Sequence, residues 1–538
     1  MNTVAQQDLN KAARSQAQAA IEGLVVKPAS LVEYRSHGSV AIIGGMDALD
    51  FAPRIHEKHK TTVVLVEGAE EPSTAIIPVG GRKLQIHGYL GNFTLEFGVE
   101  GKPNYDTLKV DLVLDLSPTP LLTMPLPPIG YVHTDTEESN FAQAQAQLDE
   151  LAGTFEKPRF FAYDAAICAH ARSGKTGCSA CIDSCPAEAI QSLPEAIEVN
   201  PYLCQGGGIC TTACPTGAIR YNYPSVADML KRIRTLLQVY REHQGQQPVI
   251  LFVAEHDLAN IKDVASNVLI LLLEEMPSVG LDVWLTTLAY GAKRILLFDG
   301  GYLSPRSMNA LQTQLRTARE ILQGLGYPGD AIQLVNKAEI AQDFDAVMPD
   351  IPLASFGGFN EKRQLMYMAI DHFYQHAPAP QAVVSLSEGA AFGTLEVNTG
   401  SCTLCMSCTS VCPSHAVQAG NTEPALLFDE ARCVQCGICS EACPEHVITL
   451  KPRLLADPEQ RQEHVTLHHE APLCCIRCGK PFATKSVVDS MLARLGNHWM
   501  FQNERARQRL LMCDDCRVAD IVQDPEAMEA SFMDPRRQ

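Results

Sequence analysis

The sequence predicts an α+β multidomain chain: two duplicated cysteine modules, a central α/β unit, an N-terminal α/β or β domain and a C-terminal metal knuckle. Three observations carry this expectation. The 20 cysteines fall into three groups, 168–214, 402–443 and 474–516. Between the first two groups, apolar runs of strand length alternate with stretches of helical spacing. The length of 538 residues also exceeds one hydrophobic core and as a prior means about three or four domains.

Residues 1–36 are polar at the start and read as an exposed helix or frayed tail, without the apolar core of a secretory signal. Residues 37–155 form the N-terminal domain, with buried-strand candidates at 40–43, 63–66 and 112–116. Gly44-Gly45 follows the first, but the full G-x-G-x-x-G fingerprint is missing, which opposes a dinucleotide site. The Pro-rich stretch 118–128 is a wrapping loop or linker, because proline suits neither helix interiors nor central strands. The first cysteine module occupies 160–222 and a helical linker 223–246. The α/β unit of 247–345 has strands at 249–253, 295–298 and 332–335 and helices at 280–290 and 311–325, the rhythm of a parallel sheet covered by helices. A second helical linker, 346–384, leads to the second module at 385–450, and 466–538 is a C-terminal cysteine-coordinated metal region whose last dozen residues are loosely ordered.

Cys402, Cys405, Cys408 and Cys412-Pro413 repeat as Cys433, Cys436, Cys439 and Cys443-Pro444, both C-x2-C-x2-C-x3-C-P. Short spacers let three cysteines converge on one centre, while the fourth, before proline, points to the other. The expected quartets are therefore crossed: Cys402, Cys405, Cys408 with Cys443, and Cys433, Cys436, Cys439 with Cys412. The double spacing opposes zinc, since zinc knuckles do not supply this run twice. Upstream the pattern is altered. Cys178, Cys181 and Cys185-Pro186 lack the leading ligand, Lys175 standing in its place, and the nearest upstream thiol, Cys168, is separated from Cys178 by nine residues instead of two. The expected quartet is Cys168, Cys178, Cys181 and Cys214; the alternative is a free Cys168 with a substitute such as His170. The remaining three thiols are Cys185, Cys204 and Cys210, with Gly207 at the second ligand position inside a Gly206-Gly207-Gly208 run. Strand-like tails after each proline, at 189–191, 218–220, 416–418 and 447–450, argue that one duplicated fold occurs twice.

Both modules resemble bacterial two-cluster ferredoxins, over about 120 residues together. The resemblance implies three [4Fe-4S] clusters and, at the three-thiol site, either a [3Fe-4S] cluster or a [4Fe-4S] cluster with an open or otherwise completed iron. The segment 249–338, through Ser278-Val-Gly-Leu-Asp-Val-Trp284 and Leu288-Ala-Tyr-Gly-Ala-Lys-Arg-Ile-Leu-Leu297, resembles the flavodoxin-like delta-subunit domain of methyl-viologen-reducing hydrogenase and heterodisulfide reductase systems. That family's [2Fe-2S] cofactor does not carry over, because no cysteine lies between Cys214 and Cys402, and a scaffold role is expected in place of flavin binding. The overall arrangement resembles multi-cluster proteins associated with formate dehydrogenases. It implies a non-catalytic electron-transfer subunit of an oxidoreductase complex, with a formate dehydrogenase or other redox enzyme and a soluble carrier or second subunit as partners.

Cys475, Cys478, Cys513 and Cys516 supply two C-x2-C pairs, the spacing of a structural zinc knuckle, with an additional iron-sulfur cluster as the alternative and Cys474 adjacent. Lys plus Arg number 43 against 62 for Asp plus Glu, a net charge of -19, which opposes nucleic acid and anionic membranes and suits a basic docking partner. Arg172 and Lys175 are expected to be solvated, or to stabilise a reduced centre. The longest apolar run, 268–273, is too short to span a bilayer, so the chain is expected in the cytoplasm or at the cytoplasmic face of a membrane complex. An assembly protein with a labile three-thiolate site is the second expectation. Catalysis at an open iron is not expected, because no acid–base set accompanies it.

Overall fold

The structure is a computed structural model and describes residues 4–66, 75–80, 82–98, 106–340, 344–357, 361–421, 423–495, 498, 501 and 503–525. The last dozen residues, expected to be loosely ordered, lie outside the described residues.

The N-terminal domain is built on a five-stranded parallel sheet. The strands Ser39–Gly44, Lys60–Leu65 and Leu112–Asp115 sit at its centre, flanked by Ile76–Pro78 and Tyr131–His133. In the domain's own counting the order is 3-2-1-4-5, that of dinucleotide-binding sheets. The phosphate cradle is not built, however. Counted from Gly44, Met46 and Leu49 fall where the second and third glycines belong, and Asp47 brings a carboxylate to the first turn of the helix Asp47–His56. A three-stranded antiparallel sheet of Lys83–His87, Phe93–Gly98 and Asp106–Val110 covers one face. The Pro-rich stretch is neither helix nor strand; it lies on the first module, where Leu126 N donates to Pro186 O and Gln205 donates to Pro127 O.

The central unit is a parallel sheet of Val249–Ala254, Val268–Leu273, Arg294–Phe298 and Ile332–Val335 in the order 2-1-3-4. It is covered by the helices Val226–Glu242, Leu281–Ala289, Pro305–Gly324 and Lys362–His376, which share one large core with the sheet around Trp284 and Tyr240. The apolar run 268–273, too short to span a bilayer, is an edge strand that sequence reading did not assign, and its six residues pair with Val249–Ala254. One expectation is corrected here. The polar N-terminus is not an exposed tail. The helix Val4–Glu22 buries Asn10, Ala13, Ala17 and Ile21. Its Arg14 donates to the carbonyls of Ala265 and Val268, and its Gln18 to Ile270 O, covering the free edge of that strand. The buried stripe consists mostly of small residues, so the helix carries little apolar signal while still packing closely.

The two cysteine modules meet through the spacer between Cys168 and Cys178. It forms a hairpin, Ala171–Arg172 paired with Lys175–Thr176, turning at Ser173 (φ 52°) and Gly174 (φ 71°). Arg172 is not merely solvated: its Nη1 lies 3.5 Å from Cys412 O of the second module. A Cβ on Gly177 would lie 3.0 Å from Ile438 Cβ and 3.3 Å from Cys436 O. The C-terminal region joins the second module by strand His464–His469 pairing with Ala425–Asp429 and by Thr484 donating to Thr403 O.

Candidate iron-sulfur centres

Three of the four cysteine loops repeat one backbone. Leu404 (φ 52°) and Met406 (61°) flank Cys405; Gln435 (54°) and Gly437 (81°) flank Cys436; Gly206 (84°) and Gly208 (71°) flank Gly207. Positive φ is uncommon outside glycine, so its recurrence in three loops identifies one loop geometry and places Gly207 at the second ligand position. A second mark follows every Cys-Pro pair: Glu188, Gly217, His415 and His446, each three residues after the cysteine, all have positive φ. Each loop leads into one helical turn, Ala180–Ser184, Ile209–Ala213, Ser407–Val411 or Ile438–Glu441, which carries the third cysteine of the run. Cys185, Cys214 and Cys412 then leave their helices in extended conformation, which aims the fourth thiol away from its own run.

The thiols gather as crossed sets. Cys402, Cys405, Cys408 and Cys443 line one pocket of about 360 Å³. Cys168, Cys178, Cys181 and Cys214 line another of about 310 Å³. His170 also lines the second, but both ring nitrogens are engaged, 2.8 Å from Cys178 O and 2.8 Å from Ser192 Oγ. Cys439 lies in the field of Cys436, Cys433 and Cys412, and Cys210 in that of Cys204 and Cys185. Burial, reinforced by neighbouring thiols, pushes Cys178 up to about 11 and both Cys408 and Cys436 up to about 12. Thiols this crowded and this dry are suited to ionise onto metal and not into water. The sets also adjoin one another: Cys210 feels Cys181 and Cys214, Cys436 feels Cys178, and Cys439 feels Cys408.

The C-terminal site is of a different size. The sulfurs of Cys475, Cys478, Cys513 and Cys516 all lie within 4.8 Å of one another, with Cys478 and Cys513 at 3.6 Å. Four thiolates about 2.3 Å from one tetrahedral ion are about 3.8 Å apart, so this site fits a single ion. Among the described residues the ferredoxin-type sets do not close to this spacing, as expected of thiols arranged around a larger inorganic core. Gly479 (φ 73°) makes the knuckle turn, and Cys475 N donates to Lys480 O at 2.8 Å. Burial opposes ionising Cys475, but amides of Cys513, Cys478 and Arg477 outweigh it and bring the thiol down to about 6. The neighbouring Cys474 is exposed and stands outside the set.

Comparison with known families gives two matches. The model of the 4Fe-4S dicluster domain matches residues 401–448, and that of the 4Fe-4S binding domain matches residues 197–220, the stretch holding Cys204, Gly207, Cys210 and Cys214. Among curated proteins, none is similar enough to count as a match. The chain thus carries two ferredoxin-type 4Fe-4S domains, and these support an iron-sulfur electron-transfer role. An assembly role is not favoured by either match. Neither match bears on the resemblance to formate-dehydrogenase-associated proteins or to the delta-subunit domain. No helix among the described residues is long and apolar enough to cross a membrane.

Sequence reasoning missed the residues that surround the cysteines. Lys157 donates to Cys204 O at 2.5 Å, Arg306 to Cys185 O at 3.3 Å, Lys362 to Cys214 O at 2.9 Å and Arg363 to Cys433 O at 2.5 Å. These contacts span 47 to 148 positions of sequence, so no local spacing signals them.

Proposed function

We propose that this chain is a non-catalytic electron-transfer subunit of an oxidoreductase complex, relaying electrons between a redox enzyme and a carrier or second subunit. The observation that carries this reading is the continuous series of thiol sets. Cys185/Cys204/Cys210 adjoins Cys168/Cys178/Cys181/Cys214; that set adjoins Cys412/Cys433/Cys436/Cys439, which adjoins Cys402/Cys405/Cys408/Cys443. When bound, iron-sulfur clusters take up and release single electrons at such sites. The three complete sets would hold [4Fe-4S] clusters, and the three-thiol set a [3Fe-4S] or an open [4Fe-4S] cluster. The buried thiols and the apolar residues around them exclude water. The knuckle at Cys475, Cys478, Cys513 and Cys516 would hold zinc and brace the second module, onto which it is tied by the Arg494–Glu445 pair at 2.7 Å. Formate dehydrogenase is the partner that the family resemblance suggests.

The test is low-temperature electron paramagnetic resonance during an anaerobic redox titration, with iron, sulfide and zinc measured on the same sample. The reading expects four reversible centres and about one zinc per chain, the zinc leaving with a chelator while iron stays. Iron sufficient for only two clusters would overturn it. Irreversible transfer of cluster from the three-thiol site to an apo-acceptor would turn it toward assembly.

A further inference from the structure

The bridging helix Lys362–His376 opens on two adjacent cations. Helix N-termini disfavour positive charge, because the free backbone N–H groups already make that end positive. Other contacts must therefore hold the pair in place. Lys362, only 8% exposed, donates to the carbonyls of Thr211 at 2.8 Å, Thr212 at 2.6 Å and Cys214 at 2.9 Å. Arg363 turns to the other module. It donates to Ala431 O at 3.0 Å, Ala391 O at 2.9 Å and Cys433 O at 2.5 Å, with Tyr367 Oη at 2.7 Å. Consecutive residues thus grasp a cysteine carbonyl in each module. Arg172 adds a third contact by reaching from the first module to Cys412 O at 3.5 Å. Cys214 on one side and Cys412 and Cys433 on the other belong to the two inner thiol sets of the series.

None of these three cations forms an ion pair among the described residues. The buried carboxyl of Asp282 is the acid that feels Lys362; burial pushes it up from its ordinary range, and the ammonium opposes that. The outer C-terminal set lacks such seated cations. Among the described residues no Lys or Arg donates to the backbone of Cys402, Cys405, Cys408 or Cys443; Glu445 on their pocket is paired with Arg494, and Glu470 acts on Cys402.

We propose that Lys362, Arg363 and Arg172 form a cationic clasp that locks the two inner cysteine sites together and sets both at higher reduction potential than the outer Cys402/Cys405/Cys408/Cys443 site. The inference rests on the electron-transfer reading above. A reduced iron-sulfur centre carries one more negative charge than its oxidised form, and fixed cations in a low-dielectric interior favour that form. The hydrogen bonds to ligand-residue carbonyls act in the same direction by drawing density from the peptide beside each thiolate. The order of potentials favours electron entry at the outer C-terminal site. There a one-electron donor of lower potential is oxidised and the inner pair gains its electron. All three residues are positioning residues.

The test uses the full chain, loaded anaerobically and titrated by low-temperature electron paramagnetic resonance. A Cys405→Ser variant, which alters an exposed thiol, identifies the signal of the outer site. Lys362→Met and Arg363→Gln should keep their iron and lower the midpoints of the two inner centres, leaving the outer one in place. Arg363→Lys, which restores the charge, should recover most of the shift. Iron-replete variants with unmoved midpoints, or with all centres moved alike, would overturn the clasp. Should Lys362→Met lose iron, Arg172→Gln decides, since its single contact lies at the module surface: a smaller shift in the same direction supports the clasp, and none overturns it. Failure of the wild-type chain to show more than two clusters would instead sink the electron-transfer reading itself.

Discussion

A Cβ built on Gly206 would lie 2.9 Å from the Phe160 ring, and one on Gly208 would lie 2.5 Å from the Ser278 backbone, but one on Gly207 meets nothing within 4 Å. The two outer glycines of the run are required by positive φ and close approach. Gly207 is required by neither: it stands at the second position of the repeated loop with open space where a Cβ would go. A Gly207→Cys substitution should fold without strain and complete a fourth thiolate: a three-iron centre would gain about one iron per chain and lose its three-iron signal, and an open four-iron centre would keep its iron and change its signal. Unchanged iron with an unchanged signal would show that the position does not face the core. A Gly207→Ala change, filling the same open space with a methyl, should alter stability by less than about 0.5 kcal/mol. This residue was legible in the sequence because cluster ligands are spaced locally, and a missing member of a short repeat shows as a gap. The reason for its neighbours was not legible, since Phe160 and Ser278 reach the loop from distant parts of the chain.

At the scale of elements, the departure of the first module from its repeat has a structural purpose. The nine-residue spacer after Cys168 folds as a hairpin that docks on the second module; an added Cβ at Gly177 would lie 2.8 Å from Ala169 O of the spacer itself and 3.0 Å from Ile438 Cβ of the second module. Gly177→Val would have to push the modules apart and should cost about 1–3 kcal/mol by overpacking, read as a lower denaturant midpoint. Iron content should hold, because every thiol is kept and the crowding falls on backbone carbonyls and Ile438, while magnetic coupling between the inner centres weakens. Coupling as strong as in the wild type would show that the hairpin does not set the spacing. The sequence allowed the spacer to be read as a loop but not its partner, because docking depends on surfaces brought together by the fold. The same limit explains Val4–Glu22, whose buried face of Ala13, Ala17 and Ile21 is too small in side-chain area to stand out from a polar helix. It also explains Lys362 and Arg363, which satisfy backbone carbonyls and so leave no complementary charge elsewhere in the sequence. By contrast, the strands at 249–253, 295–298 and 332–335 were legible, since a parallel sheet buried on both faces writes itself as continuous apolar runs.

At the scale of the whole molecule, the two signs of charge occupy different places. The chain carries a net charge of -19, most of it on ionisable side chains at the surface, while Lys362 is buried and Arg363 half-buried beside the inner thiol sets. Salt distinguishes the two. Surface fields are screened as the Debye length falls from about 30 Å at 0.01 M to about 8 Å at 0.15 M, whereas buried charges are screened much less. The acidic exterior should therefore govern encounter, and the clasp should govern where the electron settles. Reduction of the loaded protein by a reduced viologen, a monocationic radical, should slow by about tenfold across that salt range, and reduction by a neutral mediator by less than about twofold. Over the same range the midpoint separation between the inner and outer centres should stay fixed, because its source is out of reach of mobile ions. Stopped-flow rates and equilibrium titrations on one preparation separate these effects. A viologen rate indifferent to salt would remove the acidic surface as the steering element, and a separation that collapses with salt would show that surface charge and not the buried pair sets the order of potentials.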